Sequence, residues 1–322
     1  MDLNTIWSLK QMLAKENGRA IVAMFLSTAF FMFNDALLKY TAQTMPLGQI
    51  IFLRGVVATS IMALWCWRSG AFLQGRKLLN PVVFGRSILE IIGSFMYLTA
   101  LTQMPIANAT AMLQAMPLAV TAGAAMIYGE VVGWRRWSAI AVGFAGVMLI
   151  IRPGMDGFDA WALLAVAAVV FMALRDLVTR SMPRGMPSSG VCFVVCAAVT
   201  LMGAGMGVNE HWIAVGAGYV LPLVGCSALL IGAYYFAIVS TRAGDMSVVA
   251  PMRYTGLLWA TGIGVIVWGQ VPDAITITGM LVVVGSGLYT VHRERIRQKQ
   301  IAAVGLQTET PTTLQDALAL AE

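Results

Sequence analysis

The residues in this chain that can do chemistry are polar side chains embedded in long apolar stretches. Asn34, Asp35 and Lys39 stand in one such stretch, and Arg175, Asp176 and Arg180 in another. Glu90 lies deep in a third, with Arg86 one turn before it, and Arg54 lies in a fourth. Gln114, Arg253 and Tyr254, with Tyr97, Tyr234 and Tyr235, complete the set. A charge at the centre of a bilayer costs roughly 2.5–3.5 kcal/mol on insertion scales, so it persists only beside water or a partner. Such groups can hold a polar solute or a coupling ion, exchange protons at a carboxylate, or tie helices together. Asp35 and Lys39 share a helix face and can pair. They read as a structural pair or, with Arg175, Asp176 and Arg180, as gates at opposite mouths of one pathway. Arg54 reads as a structural arginine with Asp35 a candidate partner. Glu90 reads as a carboxylate neutralised by Arg86, or as a protonatable or solute-contacting group.

Other chemistries are not supported. There are two histidines, His211 and His292, both at ends of apolar stretches. That leaves a metal site or a Ser-His-Asp arrangement without its residues. The four cysteines, Cys66, Cys192, Cys196 and Cys226, are not spaced as CxxC or as a disulfide framework and read as packing residues. There is no P-loop. We therefore expect no enzyme, no cofactor and no metal.

The elements that must position these residues are membrane helices. The chain is 59% hydrophobic and 11% charged, with a mean hydropathy of +0.78, where a soluble domain carries roughly 25% charged residues. Ten spans can be drawn, at 19–41, 47–67, 80–101, 106–128, 134–152, 159–179, 188–208, 217–240, 246–268 and 274–292. Runs such as 139–151 and 161–173 do not alternate, which excludes a membrane β-barrel. The first span has no small-residue cleavage site before it and reads as a retained helix. Lys10, Lys15, Arg19, Arg68, Arg76, Lys77, Arg86, Arg135, Arg136, Arg180, Arg184, Arg242, Arg293, Arg295, Arg297 and Lys299 collect on one side, and only Lys39 and Arg152 on the other. Both termini should be cytoplasmic. This loop pattern also accounts for the net charge of +6 and a pI near 9.3 without nucleic acid. Residues 1–18 read as a cytoplasmic lead-in, with a short interfacial helix around Ile6 and Leu13 as one option. Residues 293–322 read as a mobile cytoplasmic tail.

The spans repeat. With an offset of 141, Asp35-Ala-Leu-Leu-Lys39 lies over Asp176-Leu-Val-Thr-Arg180, Met45-Pro46 over Met186-Pro187, and Gly146 over Gly287. Each copy opens a block of five spans, 19–152 and 153–292. Five is odd, so the second block must be inverted, a signature of many secondary transporters. At an offset of 140, Ser87 lies over Ser227 and Met112 over Met252, which places Gln114 and Tyr254 at matching depth, with Arg253 beside them and Tyr235 in span 8. We expect a central solute site there. Pro117 and Pro251 interrupt the same two spans, as broken helices lining a cavity or as simple kinks.

The ten helices, the two inverted halves and the closing segments Tyr128-Gly129-Glu130 and Trp268-Gly269-Gln270 resemble the EamA family of the drug/metabolite transporter superfamily. The pattern Asp35-x-x-x-Lys39, then Pro46-x-x-Gln49-Ile-x-Phe52-x-Arg54-Gly55, resembles a proteobacterial subgroup assigned to uptake of riboflavin or S-adenosylmethionine. Other relatives export amino acids and their derivatives. The resemblance implies a secondary carrier in a bacterial inner membrane. Its cavity would be lined by helices 1, 3, 4, 6, 8 and 9, where Asn34, Glu90, Gln114, Asp176, Tyr235 and Arg253 fall. The expected substrate is a planar vitamin or nucleoside-like metabolite, with amino-acid export as the alternative. A structural or assembly membrane protein is the alternative class. A coupling ion and a second copy of the chain are partners left open.

Overall fold

The computed structural model describes residues 3–153, 160–183, 186–243 and 249–319, with side chains described from 17 to 296 apart from positions 74, 76, 188 and 241–243 within those segments. The side chains of Lys10, Lys15, Arg76, Arg184, Arg242, Arg297 and Lys299 used for the orientation lie outside the described residues, as do those of the lead-in around Ile6–Leu13 and of the tail.

The described residues are all helical, without strands. In chain order, α1 is Leu3–Thr41, α2 Leu47–Arg68, α3 Pro81–Gln103, α4 Ile106–Leu113, α5 Met116–Tyr128, α6 Trp134–Ile151, α7 Ala160–Arg180, α8 Ser188–Gly207, α9 Ala217–Ala243, α10 Thr255–Trp268 and α11 Ala274–Ala319. Short helical turns at Ala71–Gln74 and Gly75–Leu78 join α2 to α3, and a 3₁₀ turn at Ala250–Tyr254 leads into α10.

Local sequence explains these boundaries. Asn80 accepts a hydrogen bond from the Val82 amide at 2.9 Å and Pro81 opens α3. Pro117 has no N–H for the Leu113 carbonyl, and the span breaks between α4 and α5 one turn before it. Pro251 sits in the 3₁₀ turn before α10. Gly129 and Gly269 end α5 and α10 with φ of 65°, a left-handed close that glycine takes without a Cβ penalty. Backbone of the expected tail continues α11 to Ala319.

Among the described residues nine segments are long and apolar enough to cross a membrane. The count falls short of ten because the ninth expected span is divided into the 3₁₀ turn and the 14-residue α10. Apolar side chains including Trp67, Leu79, Val131 and Ile266 are exposed on the outside, where lipid rather than water would cover them.

The helices pack in long pairs: α1 on α9, α2 on α8, α3 on α7, and α6 on α11. Leu38, Ile50, Leu101, Met104 and Ile106 are fully buried at the centre. Glycine sets the α2–α8 approach. A Cβ on Gly203 would lie 2.6 Å from the Phe52 amide nitrogen, so only the bare backbone fits. Thr59 and Thr200 share a hydrogen bond of 3.0 Å across the same contact.

Candidate functional site

The site is organised by one face of α3. Arg86, Glu90, Ser94 and Tyr97 follow one another at intervals of four, four and three residues, so they form a polar stripe in an otherwise apolar helix. Glu90 and Tyr97 are about 10 Å apart along the axis at 1.5 Å per residue. Each organises its own cluster.

At the Tyr97 level, the Tyr97 hydroxyl donates to Asp35 Oδ2 at 3.0 Å, and Asn34 Nδ2 donates to Asp35 Oδ1 at 3.0 Å. Arg54 Nη1 reaches Asn34 Oδ1 at 3.4 Å. Asn34, Asp35, Arg54 and Tyr97 are all buried. Arg54 is close enough for its charge to act on Asp35, with Asn34 bonded to both. Cys226 on α9 closes this level, with its thiol 3.8 Å from the Asn34 carbonyl oxygen.

Lys39 does not pair with Asp35 as its spacing suggested. Its ammonium group turns to the end of α3 and donates to the carbonyls of Leu101, Thr102 and Met104 at 2.7, 3.2 and 2.7 Å. Those carbonyls lack helical partners and carry the negative end of the helix dipole, so they outbid a carboxylate one turn away. The same ammonium lies 5.9 Å from the centre of the Trp268 ring.

At the Glu90 level the main partner is Arg175 rather than Arg86. Arg175 Nη1 donates to both Glu90 oxygens, at 3.0 and 3.1 Å, while its Nε and Nη2 hold Asp176 Oδ1 at 2.9 and 2.8 Å. One guanidinium thus forks between two carboxylates. Arg86 Nη2 stands 3.7 Å from Glu90, and its Nε donates to Thr179 at 3.0 Å. Arg180 is not part of this cluster; it pairs with Glu130 at 3.1 Å, with both side chains about half exposed. Two positive and two negative groups balance, and only Asp176 is substantially exposed. Tyr234 on α9 lies within electrostatic range of Glu90 and Arg175. Cys196 on α8 is in range of both Glu90 and Arg54, which places the two levels along one interior.

The expected site around Gln114, Tyr254, Arg253 and Tyr235 is arranged differently. Gln114 Nε2 donates to the Arg253 carbonyl at 3.0 Å, tying the α4–α5 break to the 3₁₀ turn. The Arg253 side chain is exposed and makes no ion pair among the described residues. Tyr254 is buried and directed at Gly287 of α11, away from Gln114. Tyr235 is exposed against Phe236, and its neighbour Tyr234, also half exposed, packs edge-on against Phe31 within electrostatic range of the charged cluster. A cavity of about 600 Å³ between α10 and α11 is lined by Pro251, Tyr254, Leu258 and Met280. Another, of about 500 Å³, is lined by Phe33, Tyr40, Trp259 and Trp268. Both are almost wholly apolar, and neither is lined by Gln114, Tyr235 or Arg253.

Two ion pairs latch α6 to α11 at opposite ends, Arg136 with Glu294 and Arg152 with Asp273. Asp273 also caps α11 by accepting from the Thr276 amide at 2.9 Å. The Arg152 guanidinium first, and this amide second, hold the Asp273 carboxyl well below the usual carboxylate range. No group of three or more metal-ligating side chains occurs among the described residues.

The chain is similar to known proteins. The model of the EamA-like transporter family matches residues 18–152. Over those residues the chain is similar to EamA-like transporters. The resemblance read from the residues is thereby borne out. The pseudopaline exporter CntI of Pseudomonas aeruginosa is 24% identical over 267 residues, 82% of this chain and 92% of that protein. A riboflavin transporter of Vibrio cholerae is 28% identical over 214 residues, 65% and 72% of the two chains. An S-adenosylmethionine uptake transporter of Rickettsia felis is 23% identical over 269 residues, 81% and 88%. A crystal structure of a protein at 19% identity shares the fold, with a TM-score of 0.58 over 87% of this chain and 97% of that one.

Proposed function

We propose that this EamA-type chain is a secondary carrier that moves a small polar organic solute by alternating access between two inverted five-helix halves, 19–152 and 153–292. The observation that carries the reading is the Thr59–Thr200 hydrogen bond, because the two residues are 141 apart and are each other's counterparts in the repeat. A residue that bonds its own counterpart stands on the two-fold axis relating the copies. The packing pairs support the same axis. Exchange of the halves turns the α1–α9 pair into α7–α3 and leaves α2–α8 and α6–α11 unchanged. The segment Ala250–Trp268 then serves as the tenth span, opposite the broken α4–α5.

The two charged levels flank that axis, and a solute passing between the halves meets them in turn. Asn34, Glu90, Asp176 and Tyr234 are the proposed solute contacts, with Gln114, Tyr235 and Arg253 at the far side. Asp35, Arg54, Arg175 and Arg180 are the proposed gates. Both termini face the cytoplasm of a bacterial inner membrane. The substrate is a planar vitamin or nucleoside-like metabolite taken up into the cell, as the names of the riboflavin and S-adenosylmethionine carriers suggest. Export is the second reading, favoured by the broad match to the pseudopaline exporter.

The test is flux into proteoliposomes holding the purified chain, with riboflavin, S-adenosylmethionine and a set of amino acids as probes. Saturable flux of one class selects the substrate; no flux of any probe argues for a structural role. In a background without the four native cysteines, single cysteines at Asn209 and Lys77 should label from opposite sides. Labelling from one side would remove the inverted topology.

A further inference from the structure

We propose that Asp35 is a proton-carrying carboxylate, and that its protonation couples solute movement to a proton gradient; this rests on the carrier reading above. Asp35 is 8% exposed, yet no cation stands within ion-pair distance of it among the described residues. The groups that face it can be named element by element. Its own helix offers Lys39, which is committed to three carbonyls at the end of α3. The α2 helix offers Arg54, which bonds Asn34 and acts on Asp35 only at a distance. From α3 comes the Tyr97 hydroxyl and from α9 the Cys226 thiol. The α10 segment Thr255–Trp268 contains no titratable side chain.

The carboxylate is therefore held by two neutral donors, an amide and a phenol. That is a holding site for either protonation state. When Asp35 is ionised, the Tyr97 hydroxyl donates to it. When Asp35 takes a proton from water on one side of the membrane, it becomes a neutral acid with one O–H to place. A phenol hydroxyl both donates and accepts. The Tyr97 oxygen can accept the new O–H while its own hydrogen turns away from Asp35 toward neighbouring Thr110 on α4, whose hydroxyl donates to Met32 Sδ and keeps its oxygen as an acceptor. Release to water on the other side reverses the exchange, and one proton crosses per cycle. Glu90 is built against such a role. Two arginines stand beside its carboxylate, so losing its charge would strand cations in the interior.

The experiment reads protonation directly and then coupling. Infrared difference spectra of the purified full chain are recorded as the pH is lowered, for wild type, Asp35→Asn, Tyr97→Phe and Glu90→Gln. Above the pH range in which ordinary carboxylates titrate, a carboxylic acid carbonyl band should grow in wild type and Glu90→Gln, shift in Tyr97→Phe and vanish in Asp35→Asn. A band that survives Asp35→Asn, or that is absent from wild type, overturns the proposal. If Asp35→Asn does not fold, the shift in Tyr97→Phe decides in its place, and an unshifted band there overturns it. For a probe that wild type transports, a gradient of one pH unit at clamped potential should give about tenfold accumulation or exclusion at one proton per solute. Asp35→Asn should flatten that ratio to about one, and a ratio that still follows the gradient in this variant overturns coupling. Flux indifferent to the gradient overturns coupling; absence of flux from wild type instead counts against the carrier reading, with the infrared result still deciding whether Asp35 carries the proton.

Discussion

Asp35 and Glu90 are both carboxylates set in apolar helices, and both lie against the same face of α3, yet their surroundings differ in kind. Glu90 is clamped by Arg175 and approached by Arg86. Asp35 is held by Asn34 and Tyr97, with its nearest arginine one residue removed. Residue type and depth do not separate them; the partner chosen by the tertiary structure does. A paired carboxylate keeps its charge and locks two helices. A carboxylate bonded by neutral groups is free to change its charge without dismantling a contact.

The largest expected effect breaks the paired side of this comparison. Arg175→Ala leaves Glu90 and Asp176 without their shared partner and should cost about 3–5 kcal/mol, the range for removing one member of a buried pair. Thermal unfolding in detergent should report it as a large fall in midpoint and folded yield. Adding Glu90→Gln to Arg175→Ala should restore part of the loss, since it removes the stranded charge. Additive losses would mean that the two residues do not act as a pair.

Next is the neutral side. Tyr97→Phe removes one hydrogen bond to a charged acceptor and should cost about 1.5–3 kcal/mol, read by the same unfolding assay. A loss as large as that of Arg175→Ala would erase the distinction between the two levels.

A smaller effect sharpens the role of Lys39. Lys39→Met removes the cap on the α3 carbonyls and should cost about 1–2 kcal/mol, typical of a cation at a partly buried helix end. It should leave the pH response of the Asp35 infrared band unchanged. A matching change in that band would return Lys39 to Asp35 as its ion-pair partner.

The smallest effect belongs to the Arg152–Asp273 latch. The folded-state pKa of Asp273 is depressed, so its contribution is fully present above the ordinary carboxylate value of about 3.8 and is lost as the pH falls through the lower folded value. Asp273→Asn should lower the unfolding midpoint slightly at neutral pH and flatten its decline in acid. Added salt should shrink the difference, because the pair is exposed at its carboxylate end. A neutral-pH loss comparable to that of Arg175→Ala would show that the latch is a main tie between α6 and α11.

Much of the architecture was legible because a bilayer imposes a simple rule on sequence. Every backbone group must be satisfied within its own helix, so apolar segments of spanning length declare themselves, and α1 through α9 lie where hydropathy placed them. Loop glycines and prolines were equally informative, since φ at Gly129 and Gly269 and the missing amide of Pro117 are properties of single residues. The polar residues of Asn34–Asp35, Glu90 and Arg175–Asp176 stood out because hydrocarbon tolerates few of them. Their partners did not. Spacing along one helix suggested Asp35 with Lys39 and Glu90 with Arg86, whereas the structure joins Asp35 to Tyr97 and Glu90 to Arg175, residues 62 and 85 apart.

Sequence by itself determined which residues are too polar for their surroundings and which segments are helices, because those follow from local transfer energies and backbone chemistry. Tertiary structure alone decided whom each polar group meets. Lys39 found the open end of α3, Tyr234 packed on Phe31 while Tyr235 packed on Phe236, and Tyr254 turned to Gly287. Side-chain pairing between helices depends on how two rigid cylinders are rotated and how closely they approach, and small residues such as Gly203 set that approach far from the charges they bring together.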